Sequence, residues 1–335
     1  MLHAYQLDNR ALRRMDREAP LSGAVWIDLY RPLPEQVAAV EALGIAVPTL
    51  ADMEEIEISN RLYHEDAADT MTVVLPGRTP DGDQIAAPVS FILRKDVLVT
   101  VRHHAPRPFE TFPDRAGRST AGCATADRVF LGLIEEIVAR LADLLEGAGR
   151  QLDTAAGLAF RDEAPQTEEL QDVLRQVGRQ GEALGRIRLG LLTVERALSF
   201  LMAQNRHEPG ELRSLVKSML RDIQSLSVHG DFLSSRVTLA VDSVLGLINF
   251  PQKFRSQADI GAKLGMFSGR LTWNHLASYT NNTLTPVQKV SNYDTFDLSL
   301  GVEVNERIRI GVDARNLFNE DPPFVDTTRG YDPQA

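Results

Sequence analysis

A long apolar repeat in the last third of the helix-rich part constrains the fold of this chain more than any other feature. From Leu212 to Leu247, apolar or small residues recur in alternating steps of four and three. This 3.5-residue spacing, held over about five heptads, predicts a long helix with a supercoiled apolar seam. At about 1.5 Å per residue, roughly 40 residues give a rod near 60 Å long. On periodicity alone, we favour a coiled-coil hairpin or a homo-oligomeric stalk. The seam comprises Leu212, Val216, Met219, Ile223, Leu226, Gly230, Leu233, Val237, Ala240, Val244 and Leu247.

Two further long helices are predicted before the repeat. A helical period begins near residue 126, where Val129, Ile137 and Leu144 share one face. A second helix is expected from Thr167, a favourable N-cap, to about Asn205. We therefore expect long antiparallel helices over residues 126–250.

The N-terminal part, residues 1–112, is typical of a small α/β domain. A helix is expected to begin at Pro34 and to end at Gly44. Glycines spaced as in Rossmann folds are absent from the sequence, so no dinucleotide site is indicated. The β-prone runs lie at 24–29, 56–63, 70–75, 89–93 and 97–101.

The C-terminal part, residues 251–335, changes to a β-rich pattern. Alternating residues predict a hairpin from Phe296–Val304 and Ile308–Ala314. An earlier hairpin is expected from 261–264 and 270–279, with its turn at Ser268-Gly269. The fold class is thus α+β, with an N-terminal α/β domain, a coiled-coil-like stalk of long antiparallel helices and a short β-hairpin tail.

Charge and composition exclude some functions. The formal net charge of −10 argues against nucleic acid as a partner, because phosphate binding needs clustered Lys and Arg. The single cysteine, Cys123, permits no intramolecular disulfide and fits a reducing compartment. The sequence has no signal-peptide pattern and no apolar window of about 18 residues, so we expect no transmembrane helix in the chain as written.

Motifs for catalysis are missing from the sequence, and we expect no enzyme. His103 and His104 are neighbours at a strand end, which favours a surface pair over two-point metal chelation. Cys123 has no base or ligand cluster around it and is interpreted as incidental. The acidic run of Asp52, Glu54, Glu55 and Glu57 favours a solvated helix start or strand edge over a metal site.

Aspartates along the third helix are the candidate metal ligands. Asp222, Asp231 and Asp242 lie along it, and Asp222 and Asp231 are our candidates. In a symmetric oligomer each would form a ring of carboxylates, which are hard oxygen ligands suited to a divalent cation such as Mg²⁺.

Two stretches of the chain resemble the CorA family of metal-ion transporters. The first is Trp26-Ile27-Asp28-Leu29 with the segment 52–63, and the second runs through 220–226, 232–234 and 244–249. The resemblance covers about residues 1–250. It implies Mg²⁺ and Co²⁺ transport, a cytoplasmic domain at the inner membrane, a homopentamer and Mg²⁺ binding that closes the channel. It also implies that the stalk helix faces the pore axis through Val237, Val241, Val244 and Leu247.

The chain departs from that family after Asn249. The family continues into two hydrophobic helices with a Gly-Met-Asn filter, and this sequence contains no Gly-Met-Asn. We expect a chain truncated before the membrane helices and inactive alone. Instead, segments 269–275, 293–299 and 313–319 resemble C-terminal strands of TonB-dependent outer-membrane receptors, which suggests a fusion or a sequence artefact near 249–257. Two alternatives stay open: a soluble oligomeric stalk or Mg²⁺-sensing protein, able to assemble with intact channels, and an outer-membrane receptor fragment.

Overall fold

The computed structural model describes residues 1–55, 57, 61–159, 167–204, 210–249, 255–281, 288–305 and 308–323. The chain divides into two compact units, residues 1–244 and residues 245–335.

The first unit combines a mixed sheet with long helices. Its strands are β1 (Leu2–Asp8), β2 (Ala11–Arg14), β3 (Trp26–Tyr30), β4 (Leu62–Glu65), β5 (Ala68–Arg78), β6 (Gln84–Leu93) and β7 (Leu98–Arg102). Its helices are α1 (Pro34–Glu41), α2 (Leu50–Glu54), α3 (Pro108–Arg115), α4 (Ala126–Ala159), α5 (Thr167–Ala203) and α6 (Glu211–Asn249), the last of which extends past the unit boundary.

Within the described residues, the sheet has seven strands in the order β2-β1-β3-β7-β6-β5-β4. Only the β3–β7 pair is parallel in this sheet, as the described ladders show. The β1–β2 hairpin was not predicted. It turns through Asn9 and Arg10, both at positive φ, which is the backbone of the tight turns that match strand twist. The predicted run 56–63 becomes a strand only from Leu62 onward, and residues 56 and 58–60 lie outside the described residues.

The central strands β3 and β7 are buried on both faces, since successive residues of a strand point to opposite sides and nearly all of their residues are buried. On one face, Trp26 of β3 lies edge-on to Phe112 of α3, with ring centroids 5.8 Å apart. Phe91 of β6 meets Phe130 of α4 in the same way at 5.5 Å. On the other face, Ile27 belongs to a cluster that includes residues of α1 and α2. The long helices and α3 therefore cover one side of the sheet, and α1 and α2 cover the other.

The three long helices pack as antiparallel neighbours in chain order. Gln151 of α4 accepts a hydrogen bond from Gln176 of α5 at 2.9 Å, and an added Cβ at Gly190 would lie 3.3 Å from Leu141. Because 151 faces 176 while 141 faces 190, α4 and α5 run in opposite directions. The predicted helical part of the fold class is confirmed.

The second unit is β-rich, as predicted. Its strands are β8 (Arg255–Leu264), β9 (Phe267–Leu276), β10 (Tyr279–Asn281), β11 (Gln288–Val290), β12 (Tyr293–Asn305) and β13 (Ile308–Ala314). Among the described residues, four of these strands form an antiparallel sheet in the order β13-β12-β9-β8, and β10 pairs with β11.

The turn of the first tail hairpin differs from the prediction. Ser268 and Gly269 lie inside β9, where they pair with β8 and β12. The chain turns instead between Leu264 and Phe267, which face each other across the hairpin. Gly265 has φ of +59°, a conformation that only glycine adopts without steric cost, so the turn forms there.

Candidate functional site

The inner face of α6 carries the predicted seam, and it packs on helices of the same chain. Val216, Ile223 and Leu233 are fully or nearly fully buried. Gly230 explains the small residue in the seam, because an added Cβ there would lie 3.4 Å from Arg188 of α5 and 3.7 Å from Leu145 of α4. The heptad pattern therefore corresponds to packing of α6 on α4 and α5 of the same chain.

Among the described residues, three ion pairs border this inner face. Arg188 of α5 meets Asp231 at 2.6 Å, and Asp153 of α4 meets Arg236 at 2.6 Å. Arg128, near the start of α4, meets Glu211 at 2.8 Å at the start of α6. Such partly exposed pairs each contribute on the order of 1 kcal/mol or less, so their main effect is to favour one helix register.

The outer face of α6 carries an apolar stripe that the sequence analysis missed. Val228, Phe232 and Leu239 are 70%, 57% and 66% exposed. At about 100° per residue they lie within about 40° of one another and opposite the seam. Arg236 lies over the Phe232 ring, with its guanidinium carbon 6.0 Å from the ring centroid. Their spacing of four and seven residues could have indicated a second apolar face, but the longer pattern of the seam was the more obvious one. We call these three residues the outer stripe.

The candidate metal ligands Asp222 and Asp231 are not brought together. Both side chains belong to exposed residues of α6, and nine positions of helix separate them by about 13 Å. Asp231 already pairs with Arg188. Across the part of the chain that the structure describes, no three His, Cys, Asp or Glu side chains converge as a metal site would require. A metal site on either aspartate therefore needs further copies of the chain, and it stays a prediction.

The four candidate pore residues take different positions. Val237 is half-buried beside α5, where an added Cβ at Gly181 would lie 3.3 Å from its Cγ1 atom. Val241 is half-buried and Val244 is buried. The side chain of Leu247 lies outside the described residues. Their role at a pore axis stays a prediction.

The acidic run at residues 52–57 spans the end of a short helix, because Asp52 lies in the first turn of α2, Glu54 ends it, and Glu55 and Glu57 follow it. Thr49 caps α2, and the Asp52 carboxylate accepts hydrogen bonds from the Thr49 hydroxyl at 2.7 Å and from the Thr49 backbone N–H at 2.9 Å. These bonds lower the pKa of Asp52 from its ordinary value. Glu54, Glu55 and Glu57 are exposed.

The surface histidine pair was predicted wrongly, because His104 is buried. Its ring lies against β5, where an added Cβ at Gly77 would come within 2.5 Å of the ring. The glycine therefore leaves the space that the imidazole fills. Nε2 lies 2.9 Å from the Leu75 carbonyl oxygen, and burial lowers the pKa of His104 to about 4. Cys123 is also buried, and its thiol donates to the Arg10 carbonyl at 3.2 Å.

A buried ion pair holds the centre of the sheet. Arg102 of β7 donates two hydrogen bonds to the Asp28 carboxylate of β3, from Nε at 3.0 Å and from Nη2 at 2.8 Å. The Thr100 hydroxyl donates to the same carboxylate at 2.9 Å and accepts from Trp26 Nε1 at 3.1 Å. The Arg102 guanidinium also stacks over the Tyr30 ring at 4.5 Å. This network explains part of the Trp-Ile-Asp-Leu segment as a structural element of the sheet.

The described helices include none with both the length and the apolar character needed to cross a membrane.

Comparison with solved structures identifies the architecture. The complete structure of the CorA magnesium transporter from Methanocaldococcus jannaschii is 16% identical, with a TM-score of 0.59, and the match covers 74% of this chain and 78% of that one. The soluble domain of CorA from the same organism, also 16% identical, has a TM-score of 0.57 over 74% of this chain and 98% of the domain. The ZntB cytoplasmic domain from Vibrio parahaemolyticus is 12% identical, with a TM-score of 0.54 over 73% and 96%. The sheet with its three long helices thus has the fold of the soluble domain of a CorA magnesium transporter.

Sequence relatives give the family. Magnesium transport proteins CorA from Pectobacterium atrosepticum and Escherichia coli are each 30% identical over 257 residues, which is 75% of this chain and 80% of each relative. The family model of the CorA-like Mg²⁺ transporter proteins matches residues 22–253. This chain belongs to that family. Residues 254–335 lie beyond the match, and the resemblance of the tail to TonB-dependent receptors stays a prediction.

Proposed function

We propose that this chain works in Mg²⁺ and Co²⁺ transport, as a Mg²⁺-responsive homo-oligomer at the cytoplasmic face of the inner membrane. The observation that carries the proposal is the family match over residues 22–253, which contains the long helices and most of the sheet. Relatives that are magnesium transport proteins, and a structural neighbour that is a cytoplasmic domain, support the same function. Mg²⁺ is the transported ion or a regulatory ligand, and the function involves no enzymatic step.

Assembly is the step on which the proposal depends most. The outer stripe supports it, because an exposed apolar patch on a helix marks a contact surface. We infer that the stripe joins copies of the chain, in a pentamer with a mass of five times 37.1 kDa. An oligomer would also repeat Asp222 and Asp231 around an axis, and it would decide which of Val237, Val241, Val244 and Leu247 approach that axis.

Sedimentation velocity of the full chain, with and without millimolar Mg²⁺, tests this assembly. We expect a Mg²⁺-dependent oligomer that Phe232→Asp reduces to a monomer. Leu33→Asp is the matched control, since Leu33 is 60% exposed and Phe232 is 57% exposed. An oligomer that persists in Phe232→Asp would contradict the role of the outer stripe.

The metal ligands have their own test in the same assay. We expect Asp222→Asn to raise the Mg²⁺ concentration needed for assembly. Asp143→Asn, an exposed aspartate of α4, serves as the control. Asp231→Asn is less informative alone, because it also removes the partner of Arg188. An unchanged Mg²⁺ dependence in Asp222→Asn would exclude that residue as a ligand.

The alternative is a soluble oligomeric stalk or Mg²⁺-sensing protein that does not conduct. Mg²⁺ uptake by cells lacking their own transporters distinguishes the two functions. Restored uptake with this chain alone would support conduction. Reduced uptake when the chain is expressed together with an intact relative would support mixed assembly and a sensing role.

The tail is a separate proposal. The four-stranded antiparallel sheet of β8, β9, β12 and β13 supports the resemblance to receptor strands. Heat-modifiable insertion into outer membranes would favour a receptor fragment. Sequencing the native gene across codons 246–261 tests the fusion, because reads that continue into two hydrophobic helices and Gly-Met-Asn would identify the tail as an artefact.

A further inference from the structure

A cleft between the sheet and the long helices is lined by four arginines from separate parts of the fold. Arg78 ends β5, Arg107 precedes α3, Arg140 lies on α4 and Arg186 lies on α5. The cavity has a volume of about 510 Å³, within the range that small-molecule sites occupy. We call it the arginine cleft.

The positions of these arginines follow from well-defined contacts. An antiparallel bridge joins Arg78 and Ala105, with Ala105 N–H donating to the Arg78 carbonyl at 2.9 Å, so the end of β5 lies beside Arg107. The Val74 N–H donates to the Thr193 hydroxyl at 3.0 Å, which fixes α5 on β5 about two turns from Arg186. Arg186 Nη1 donates to the Gln84 carbonyl at 2.7 Å. The cleft is therefore built by the fold.

The charge of the cleft is unbalanced. Glu110 is its one acidic lining residue among the described residues, against four guanidinium groups. In the described part of the chain, only Arg186 of the four arginines has an ion pair, with Glu182 at 3.6 Å. The cleft is therefore locally positive in a protein whose formal net charge is −10. Unpaired arginines around a cavity attract an anion, and their planar forks suit phosphate oxygens.

Apolar side chains also line the cleft. They are Pro76, Ile85, Leu144 and Ile187, each from a different strand or helix. An inorganic ion would leave these side chains in contact with water, whereas an organic group attached to a phosphate would cover them. We propose that the arginine cleft binds a phosphate-bearing organic metabolite of the nucleotide class and thereby ties the sheet to α4 and α5. This site is independent of the proposed transport function.

Titration calorimetry on the full chain tests the proposal, with ATP and inorganic pyrophosphate as probes at constant ionic strength and with EDTA to remove divalent cations. Loss of one charge-assisted contact weakens binding about ten- to 150-fold. We therefore expect Arg78→Gln and Arg140→Gln each to raise the Kd for ATP by such a factor, and the double variant to abolish binding. Arg213→Gln, an exposed arginine of α6 away from the cleft, should bind as the wild type does.

The outcomes separate a built site from general attraction. Circular dichroism and thermal unfolding without ligand confirm that each variant is folded. ATP binding that is tighter than pyrophosphate binding and sensitive to Arg78 and Arg140 supports the proposal. No binding, equal weakening by Arg213→Gln, or equal affinities for ATP and pyrophosphate would overturn it.

Discussion

The buried pair of Asp28 and Arg102 predicts that a conservative substitution, Asp28→Asn, strongly lowers the stability of the fold. Their side chains are 3% and 6% exposed, and Asp28 accepts from Arg102 and from Thr100. Asp28→Asn keeps the size of the side chain but leaves the buried guanidinium without its counter-charge. Breaking a buried pair in this way costs about 3–5 kcal/mol.

The remaining contacts of Arg102 place the expected loss near the lower limit. Its Nη1 still donates to the His104 carbonyl at 3.1 Å, and its guanidinium carbon still lies 4.5 Å from the Tyr30 ring centroid and 4.9 Å from that of Phe109. Stacking of a desolvated cation on an aromatic ring contributes up to about 2 kcal/mol. We expect Asp28→Asn to lower the free energy of unfolding by about 3 kcal/mol.

Urea unfolding followed by tryptophan fluorescence measures this loss. The chain has two tryptophans, so Trp273→Phe in every variant leaves Trp26 as the probe, and Trp26 donates to the Thr100 hydroxyl beside Asp28. Asp96→Asn is the matched control, because Asp96 pairs with Arg94 on the surface and should lose about 0.5 kcal/mol. The double variant Asp28→Asn with Arg102→Met should recover part of the stability. Equal losses in Asp28→Asn and Asp96→Asn would contradict a stabilising role of the buried pair.

Two further predictions concern the contact between His104 and Gly77. The pKa of His104 is about 4 in the folded chain and about 6.5 when unfolded, so its contribution is complete above pH 6.5 and is lost as the pH falls toward 4. From pH 7 to pH 4.5 this group should lower the free energy of unfolding by about 2.5 kcal/mol. His104→Gln should not show that loss, although its amide can still donate to the Leu75 carbonyl. Urea midpoints that change with pH in parallel in both proteins would disprove the prediction. Gly77→Ala should destabilise by about 1–3 kcal/mol in urea unfolding, because its Cβ would lie 2.5 Å from the His104 ring and 2.9 Å from Pro106 N. Gly178→Ala, in α5 with nothing within 4 Å, should stabilise by up to about 1 kcal/mol, and the same sign for both alanines would count against this account.

Elements with local signals were predictable from the sequence alone. The 3.5-residue repeat placed α6 and its buried face correctly, because the pattern of apolar residues along a helix fixes which side avoids water. Alternation predicted the hairpin of β12 and β13, and the residues of the N-terminal segment and the long helix indicated the family. The capping role of Thr49 and Asp52 was similarly within reach, since the two residues lie three positions apart.

What covers each face, and which distant residues meet, became known from the three-dimensional packing and not from the sequence patterns. Periodicity shows that the α6 seam is buried, but it does not distinguish a helix of the same chain from a helix of another copy. Arg78 and Arg186 reach one cleft across more than a hundred positions of chain, and no local pattern connects them. His104 is buried because Gly77 on another strand leaves room for its ring. These features depend on the packing of remote segments, and that packing is set by the shape and volume of the whole core rather than by any short stretch of sequence.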